Sequence, residues 1–198
     1  MKVIGLSGGI GSGKSTVSYY LSTLGIPVFS ADMATRAAVE KGSPCLPELI
    51  ELLGSDCSLE DGGINRALAS EKVFRDRNLL KKFEAILQKQ TRAEERRFLA
   101  QHRASGTKLV VLDVPLLIEC DWRDDVDSIW LVKTPKKLRI RRAMQRDHVS
   151  EEEMTFRINS QRPSEEVEGF ADVIIDNSGS FEHTKVQIQE NLKKIINI

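Results

Sequence analysis

The chain has 198 residues, 40% of them hydrophobic, which is enough for one folded domain or for one domain with an inserted lobe. This hydrophobic content excludes disorder over most of the chain. The 29 Lys and Arg residues equal the 29 Asp and Glu residues in number, and the resulting net charge of zero argues against a protein that coats nucleic acid or anionic membrane.

Cysteine usage and the lack of long apolar stretches indicate the cellular compartment. Cys45, Cys57 and Cys120 are odd in number and form no C-x-x-C pair, which favours reduced thiols over a disulfide framework or a zinc site. The longest apolar stretch, 109–118, contains an aspartate and a proline and is too short to span a membrane. We therefore expect a cytoplasmic protein with no nucleic-acid or membrane partner. We also expect a monomer or small homo-oligomer, although no sequence signal indicates the oligomeric state.

The chain alternates short apolar runs with helical segments. Residues 2–7 are rich in β-branched side chains and stop at a glycine cluster, which predicts a buried parallel strand. A helix is predicted over 15–24, closed by Gly25. Four further strands are predicted over 27–29, 109–112, 128–132 and 172–175. This alternation predicts an α/β fold with a five-stranded parallel sheet flanked by helices.

A long segment separates the second predicted strand from the third. Its pattern is almost wholly helical, and Gly62-Gly63 predicts one break within it. Apolar side chains at helical spacing include Val73, Leu80, Phe83 and Leu87. We interpret residues 34–107 as a helical lobe inserted into the α/β core.

The last third of the chain carries helix start signals. Thr134 followed by Pro135 predicts the N-cap and first turn of a helix over 135–147. Ser150, with a glutamate three residues later, predicts a capping box at the start of the next helix. A final helix is predicted over 181–196.

The strongest motif lies between the first strand and the first helix. Residues 8–15, GGIGSGKS, fit G-x-x-x-x-G-K-[ST] in the strand–loop–helix setting that this phosphate-binding loop requires, which disfavours an ordinary glycine-rich turn. Glycines let the backbone aim its N–H groups at phosphate oxygens, and the helix N-terminus adds positive partial charge. The residues expected to bind ATP here are Gly9, Ile10, Gly11, Ser12, Gly13, Lys14, Ser15 and Thr16.

Within this loop, two side chains have expected roles of their own. Lys14 should reach the β- and γ-phosphates, and the Ser15 hydroxyl should hold Mg²⁺. The chain has no N-K-x-D sequence for reading guanine, and a mechanical ATPase would need a larger chain or an assembly. A small-molecule kinase fits better, with ATP on the core and the acceptor in the lobe.

Two acids follow predicted strands. Asp32 comes just after the second strand, where a carboxylate could accept or orient the proton of an acceptor hydroxyl; it could equally be the N-cap of the helix that follows. Asp113 ends the strand 109–112, which is the position of an acid that holds Mg²⁺, although a turn acid before Pro115 explains it nearly as well. The residues alone leave both alternatives open.

Three arginines lie along one face of the helix predicted over 135–147. Arg139, Arg142 and Arg146 are spaced i, i+3, i+7, so their guanidinium groups could clamp ATP or neutralise the transferring phosphoryl group. The alternative is a solvated helix face, which is the commoner reason for such a run of charge.

Taken together, these motifs resemble those of the dephospho-coenzyme A kinase family. The stretches D-V-P-L-L at 113–117 and I-D-N-S-G at 175–179 are more specific to that family than the phosphate loop is, and the resemblance runs from residue 3 to about residue 180. It implies transfer of the ATP γ-phosphoryl group to the ribose 3′-hydroxyl of dephospho-coenzyme A, the last step of coenzyme A biosynthesis, with ATP and Mg²⁺ as cofactors.

The resemblance also implies a division of the chain. It implies a P-loop kinase core with a helical substrate lobe and a helical lid. The corresponding segments are 1–33, 108–138 and 168–198 for the core, 34–107 for the lobe and 139–167 for the lid.

Site residues carry over from the family position by position. Asp32 resembles the acid that handles the acceptor hydroxyl, Arg142 the arginine that reaches ATP, and Arg146 a lid arginine near the phosphates, while Asn177 lies in the loop that passes the adenine. With Lys14 from the motif, the expected catalytic residues are Lys14, Asp32 and Arg142. The expected substrate-binding residues are Asp32, Arg36, Arg66, Asp113 and Leu116.

The chain departs from the family pattern at four places, which involve five residues. Ser30 and Asn65 stand where the family has acids, Gln88-Lys89 replaces a His-Pro pair in the lobe, and Val167 replaces a lysine. The phosphoryl-transfer residues are retained, so the departures concern mainly the acceptor site. Two alternatives therefore stay open: a P-loop kinase with a different small-molecule acceptor, and a nucleotide-binding sensor that no longer transfers the phosphoryl group.

Overall fold

The computed structural model describes residues 1–115, 117–118 and 122–196. The chain forms two compact units: Met1–Phe29 together with Ser105–Ile198, and Ser30–Ala104 between them. The helical unit thus starts at Ser30 rather than at residue 34, because the helix after the second strand follows that strand without a linker.

The first unit is built on a five-stranded sheet. Its strands are β1 (Lys2–Ser7), β2 (Val28–Ser30), β3 (Leu109–Asp113), β4 (Ser128–Lys133) and β5 (Val173–Asp176). They lie in the order β2-β3-β1-β4-β5, and β1 pairs in parallel with both β3 and β4. The predicted α/β fold with a five-stranded parallel sheet is confirmed. Strands β2 and β5 each begin one residue later than their sequence patterns suggest.

Helices follow these strands along the chain, as the alternating pattern predicts. They are α1 (Lys14–Thr23), α6 (Lys136–Asp147), α7 (Glu151–Asn159), α8 (Ser164–Glu168) and α9 (Phe181–Ile196). Helices α1 and α9 pack on the sheet. Strand β3 is buried along its whole length, which explains its unbroken apolar pattern. Trp130 of β4 and Ile188 of α9 are fully buried in the same core as Leu21 of α1.

The local signals for helix ends are partly correct. Gly25 follows α1 with φ of 78°, the left-handed conformation that closes a helix at low cost for glycine. The Ser150 hydroxyl accepts from the Glu153 N–H at the start of α7. The prediction that Thr134 caps α6 is wrong: Pro135 is the cap residue, and the Thr134 hydroxyl donates to the Ser12 carbonyl instead.

The second unit is mainly helical. Its helices are α2 (Ala31–Ala37), α3 (Leu46–Leu53), α4 (Arg66–Arg75) and α5 (Arg77–Ala104). Its core is separate from that of the sheet and contains buried side chains of α3, α4 and α5, such as Leu49, Val73 and Ile86. Near the predicted break at Gly62-Gly63, Ser58 and Ile64 form an antiparallel bridge.

The apolar spacing from Val73 to Leu87 does not belong to one helix. Helix α4 ends before Asp76, whose backbone is extended, and the Asp76 carboxylate accepts from the Asn78 and Leu79 N–H groups at the start of α5. Asp76 therefore divides the apolar pattern between two helices, because it ends α4 and caps the start of α5. The hydrophobic period persists across the break because both helices pack on one core.

No helix of the described residues is long and apolar enough to cross a membrane. Cys45 and Cys57 are buried free thiols in the second unit. Cys120 lies outside the described residues.

Packing of α9 on the sheet should contribute measurably to stability. We predict that Ile188→Ala lowers the free energy of unfolding by about 2–5 kcal/mol, because Ile188 is fully buried and its truncation leaves a cavity. Urea denaturation measures the change. Val186→Ala on the same helix is the matched control: that side chain is 51% exposed, so the loss should stay within about 0.5 kcal/mol. Equal losses in the two variants would contradict this packing.

Candidate phosphate-binding site

The loop between β1 and α1 has the backbone shape that its glycines predict. Gly11 and Gly13 have φ of 73° and 88°, in the left-handed region that glycine enters without strain. Gly13 is the cap residue of α1, and no side chain caps that helix end. The N–H groups of Lys14 and Ser15 come before the first hydrogen-bonded turn of α1, so no helix carbonyl accepts from them and they are available to an anion. The loop therefore fits a nucleotide phosphate.

Two distant side chains hold the loop from behind at one carbonyl. The Thr134 hydroxyl donates to the Ser12 carbonyl oxygen at 3.0 Å, and Asn177 Nδ2 donates to the same oxygen at 2.9 Å. Both contacts are buried. Because the Ser12 carbonyl points toward these two donors, the loop N–H groups can point the opposite way, toward the place where phosphate would lie.

Asn177 is a central support of the loop. It is buried, and its Oδ1 accepts from the Thr184 hydroxyl at 3.0 Å, which fixes the orientation of the amide. Its own carbonyl accepts from Arg142 Nη1 at 2.9 Å. A Cβ on Gly13 would overlap Asn177 Nδ2, so the glycine and the asparagine fit each other. The sequence indicated Asn177 as an ATP-binding residue; a direct contact with ATP stays a prediction.

Lys14 and Asp113 form an ion pair. Lys14 Nζ donates to Asp113 Oδ1, and the two side chains are only 14% and 8% exposed. Asp113 is the last residue of β3, so the pair ties the loop lysine to the end of the neighbouring strand. The alternative, in which Asp113 is only a turn acid before Pro115, does not account for the ion pair with Lys14.

The arginine face of α6 divides into three environments. Arg139 is buried, its Nε donates to the Ile10 carbonyl at 2.8 Å, and desolvation lowers the pKa of its guanidinium from the ordinary value. Arg142 contacts the Asn177 carbonyl. Arg146 is largely exposed and hydrogen-bonds Asp147, which raises the pKa of the arginine and lowers that of the aspartate. Arg139 therefore contacts the loop backbone, a role that its spacing with Arg142 and Arg146 did not predict.

A cavity of about 480 Å³ opens beside the loop, within the size range of small-molecule sites. Residues of the loop, β4, α6 and the α7–α8 connection line it, among them Gly9, Thr134, Arg139, Gln161 and Val167. Val167, which stands where the family has a lysine, therefore contributes an apolar part of the wall.

The second unit carries the predicted acceptor acid. Ser30 is the N-cap of α2, because its hydroxyl accepts from the Met33 N–H at 3.3 Å. Asp32 lies in the first turn of that helix and is exposed. The alternative that Asp32 is the helix cap is therefore wrong, and its carboxylate is accessible to an acceptor.

The other predicted acceptor-binding residues are exposed or lie outside the described chain. Arg36 is exposed on α2, and Leu116 is not among the described residues. Arg66 is the first residue of α4 and is exposed, and its Nη2 lies 3.5 Å from Glu40 Oε1. The residue before it, Asn65, caps that helix by accepting from the Leu68 N–H.

Comparison with known proteins gives consistent matches along the chain. Residues 2–183 match the family model described as CoaE, dephospho-CoA kinase. A dephospho-CoA kinase of Carboxydothermus hydrogenoformans is 40% identical over 194 residues, covering 98% of this chain and 94% of the relative. One from Listeria innocua is 38% identical over 200 residues, covering 99% of this chain and 98% of the relative.

Solved structures agree with these matches. The crystal structure of TT1252 from Thermus thermophilus superimposes with a TM-score of 0.79 and 32% identity, covering 98% of this chain and 97% of that one. A dephospho-CoA kinase from Campylobacter jejuni superimposes with a TM-score of 0.74 and 25% identity, covering 98% of each chain.

The ion pair between Lys14 and Asp113 predicts a stability effect. We expect Lys14→Met to lower the free energy of unfolding by about 3 kcal/mol, because it leaves the buried Asp113 carboxylate without its partner. Adding Asp113→Asn should recover most of that loss while leaving turnover absent. Urea denaturation measures stability. Lys41→Met, which breaks an exposed pair with Asp61, is the control and should cost less than about 1 kcal/mol. No recovery in the double variant would contradict the pairing.

Proposed function

Because the chain belongs to the dephospho-CoA kinase family, we propose that it transfers the γ-phosphoryl group of ATP to the ribose 3′-hydroxyl of dephospho-coenzyme A. This reaction is the last step of coenzyme A biosynthesis. The observation that carries the proposal is a phosphate loop of the required shape, in a chain that matches the family over nearly its full length.

The loop residues of the first unit would bind the triphosphate. Gly9 to Thr16 would surround it, with the backbone N–H groups at the start of α1 and the Lys14 ammonium providing positive charge. Lys14 is paired with Asp113 at the end of β3, which supports its position at the loop. Arg142 and Arg146 of α6 would add cationic charge, and Asn177 would support the adenine side.

Ser15 and Asp113 are the residues that would hold Mg²⁺. The Ser15 side chain is exposed at the start of α1, and hydroxyl and carboxylate oxygens are the donors that this ion prefers. When bound, Mg²⁺ would neutralise charge on the β- and γ-phosphate oxygens. Asp113 would contribute either directly or through a water molecule.

Asp32 would act on the acceptor. The ribose 3′-oxygen attacks the γ-phosphorus, the bond from that phosphorus to the β,γ-bridging oxygen breaks, and ADP leaves; the hydroxyl proton passes to the Asp32 carboxylate. Phosphoryl transfer depends mainly on positioning and charge stabilisation. Residues 139–167 would form the lid and exclude water, because hydrolysis of ATP is the competing reaction.

Two of the four departures from the family pattern have local structural reasons. Ser30 and Asn65 both cap helices, a role that serine, asparagine and aspartate fill about equally well. These two substitutions therefore preserve the helix starts next to Asp32 and Arg66. Lys89 pairs with Glu48 at 3.2 Å on the helical unit, and Gln88 is exposed. A cytoplasmic location and a monomer or small homo-oligomer stay predictions.

Acceptor choice can be measured directly. We predict that ADP release with Mg²⁺ and ATP depends on dephospho-coenzyme A and exceeds release with nucleosides, nucleotides, sugars or shikimate by at least about 100-fold, because binding energy remote from the reacting hydroxyl promotes transfer. A coupled ADP assay over this panel measures it, with chelation of Mg²⁺ as the negative control. Preference for another hydroxyl compound would establish a different kinase, and ATP binding without acceptor-dependent ADP would establish a sensor.

Asp32 should matter for turnover rather than for folding. We predict that Asp32→Asn lowers kcat by about 100-fold or more while leaving ATP affinity within about twofold, because it removes the proton acceptor and keeps the side-chain shape. Steady-state kinetics and equilibrium ATP binding measure both quantities. Asp61→Asn, at an exposed position elsewhere in the helical unit, is the matched control and should keep wild-type kcat. Wild-type kcat in Asp32→Asn would reject the assigned role.

A further inference from the structure

Both polar groups of the Ile10 backbone are held by side chains from outside the phosphate loop. Gln161 Oε1 accepts from the Ile10 N–H at 3.0 Å, and Arg139 Nε donates to the Ile10 carbonyl at 2.8 Å. Arg139 Nη2 also donates to Gln161 Oε1 at 2.9 Å, which closes a ring of three hydrogen bonds. We call Arg139 and Gln161 the Ile10 clamp.

The Ile10 side chain is held by the same part of the chain. It packs against a small buried cluster formed by Ala143 of α6 with Met154 and Ile158 of α7. These three side chains are at most 5% exposed. Backbone and side chain of Ile10 are therefore both attached to the segment 139–161, which covers most of the predicted lid.

The glycines on either side of Ile10 leave space for the same clamp residues. A Cβ on Gly9 would lie 2.9 Å from Gln161 Oε1 and would overlap Arg139 Nη2. A Cβ on Gly11 would overlap the backbone carbonyl of Arg139, and its φ of 73° is already unfavourable for other residues. Glycines at two of the four variable positions of the motif, Gly9 and Gly11, thus leave room for Arg139.

We propose that Arg139 and Gln161 are positioning residues for phosphoryl transfer: they fix the Ile10 peptide and so orient the loop amides that follow it. The clamp also links the loop to α6 and α7, so that ATP binding and the position of the lid depend on each other. This proposal rests on ATP being bound by the loop, as proposed above, but not on the identity of the acceptor.

Removal of the Gln161 acceptor tests the clamp. Gln161→Leu leaves the Ile10 N–H and one Arg139 N–H without this acceptor, and we expect the Kd for ATP, measured by equilibrium titration without acceptor, to rise about tenfold. The KM for ATP should rise in parallel and kcat should fall, with the KM for the acceptor unchanged within about twofold. Gln161→Glu keeps a carboxyl oxygen as acceptor and should recover more than half of the lost binding free energy.

A second variant reaches the clamp from the loop. Gly9→Ala has no φ constraint but forces Arg139 Nη2 to move, so ATP affinity should fall as in Gln161→Leu. Because both changes disrupt one ring of hydrogen bonds, the double variant should be little worse than either single one. The matched control is Glu153→Gln, which weakens an exposed ion pair with Arg157 within α7 and lies outside the cavity lining. Its Kd for ATP should stay within about twofold of wild type.

The outcomes are distinguishable. If the clamp only stabilised the fold, Gln161→Leu would lower the melting temperature but keep a wild-type Kd and KM for ATP, and the proposal would be wrong. It would also be wrong if Gln161→Glu recovered nothing, or if Glu153→Gln weakened ATP binding as much as Gln161→Leu does. Failure of the wild-type chain to bind ATP would instead reject the proposed function on which the inference rests.

Discussion

The phosphate loop depends on holding a backbone segment that belongs to no helix and no strand. Such a segment has unpaired N–H and carbonyl groups, and its amides can face a phosphate only if its carbonyls find partners on the other side. Here the carbonyl of Ser12 is held by Thr134 and Asn177, and that of Ile10 by Arg139. The sheet brings these supports together because β1, β4 and β5 end at the same edge. The shape of the site is therefore a property of the whole first unit.

Sequence patterns predicted the parts of the fold whose causes are local. The strands, the loop motif and most helix starts follow from apolar period, glycine position and capping residues. The supports of the loop were not predictable in this way, because Asn177 lies 165 residues from its partner Ser12. Thr134 matched a local capping signal, but its hydroxyl bonds the loop instead. The capping rule fails at Thr134 because a buried carbonyl without a hydrogen-bond donor costs more free energy than a helix start without a side-chain cap.

The same contrast holds for the candidate site. Lys14 could be predicted because the motif fixes its place relative to phosphate. Its pairing with Asp113 joins the start of α1 to the end of β3 and has no sequence signal. Arg139 and Arg146 share one helical face in sequence, yet one is buried on the loop and the other is largely exposed beside Asp147. Residue spacing predicts which side chains share a helix face, but it does not predict which residues pack against that face. Ser30 and Asn65, by contrast, have purely local roles as helix caps, which explains how they can replace acids.

In the proposed reaction, the γ-phosphoryl group of ATP bound at the loop is transferred to a ribose hydroxyl rather than to water. Phosphorus-31 NMR of the reaction mixture, with Mg²⁺, ATP and dephospho-coenzyme A, follows every phosphorus species at once. The proposed reaction predicts a new phosphomonoester signal from the ribose 3′-position, growing in equal amount to ADP. Growth of inorganic phosphate in place of that signal, or an unchanged ATP spectrum, would contradict it.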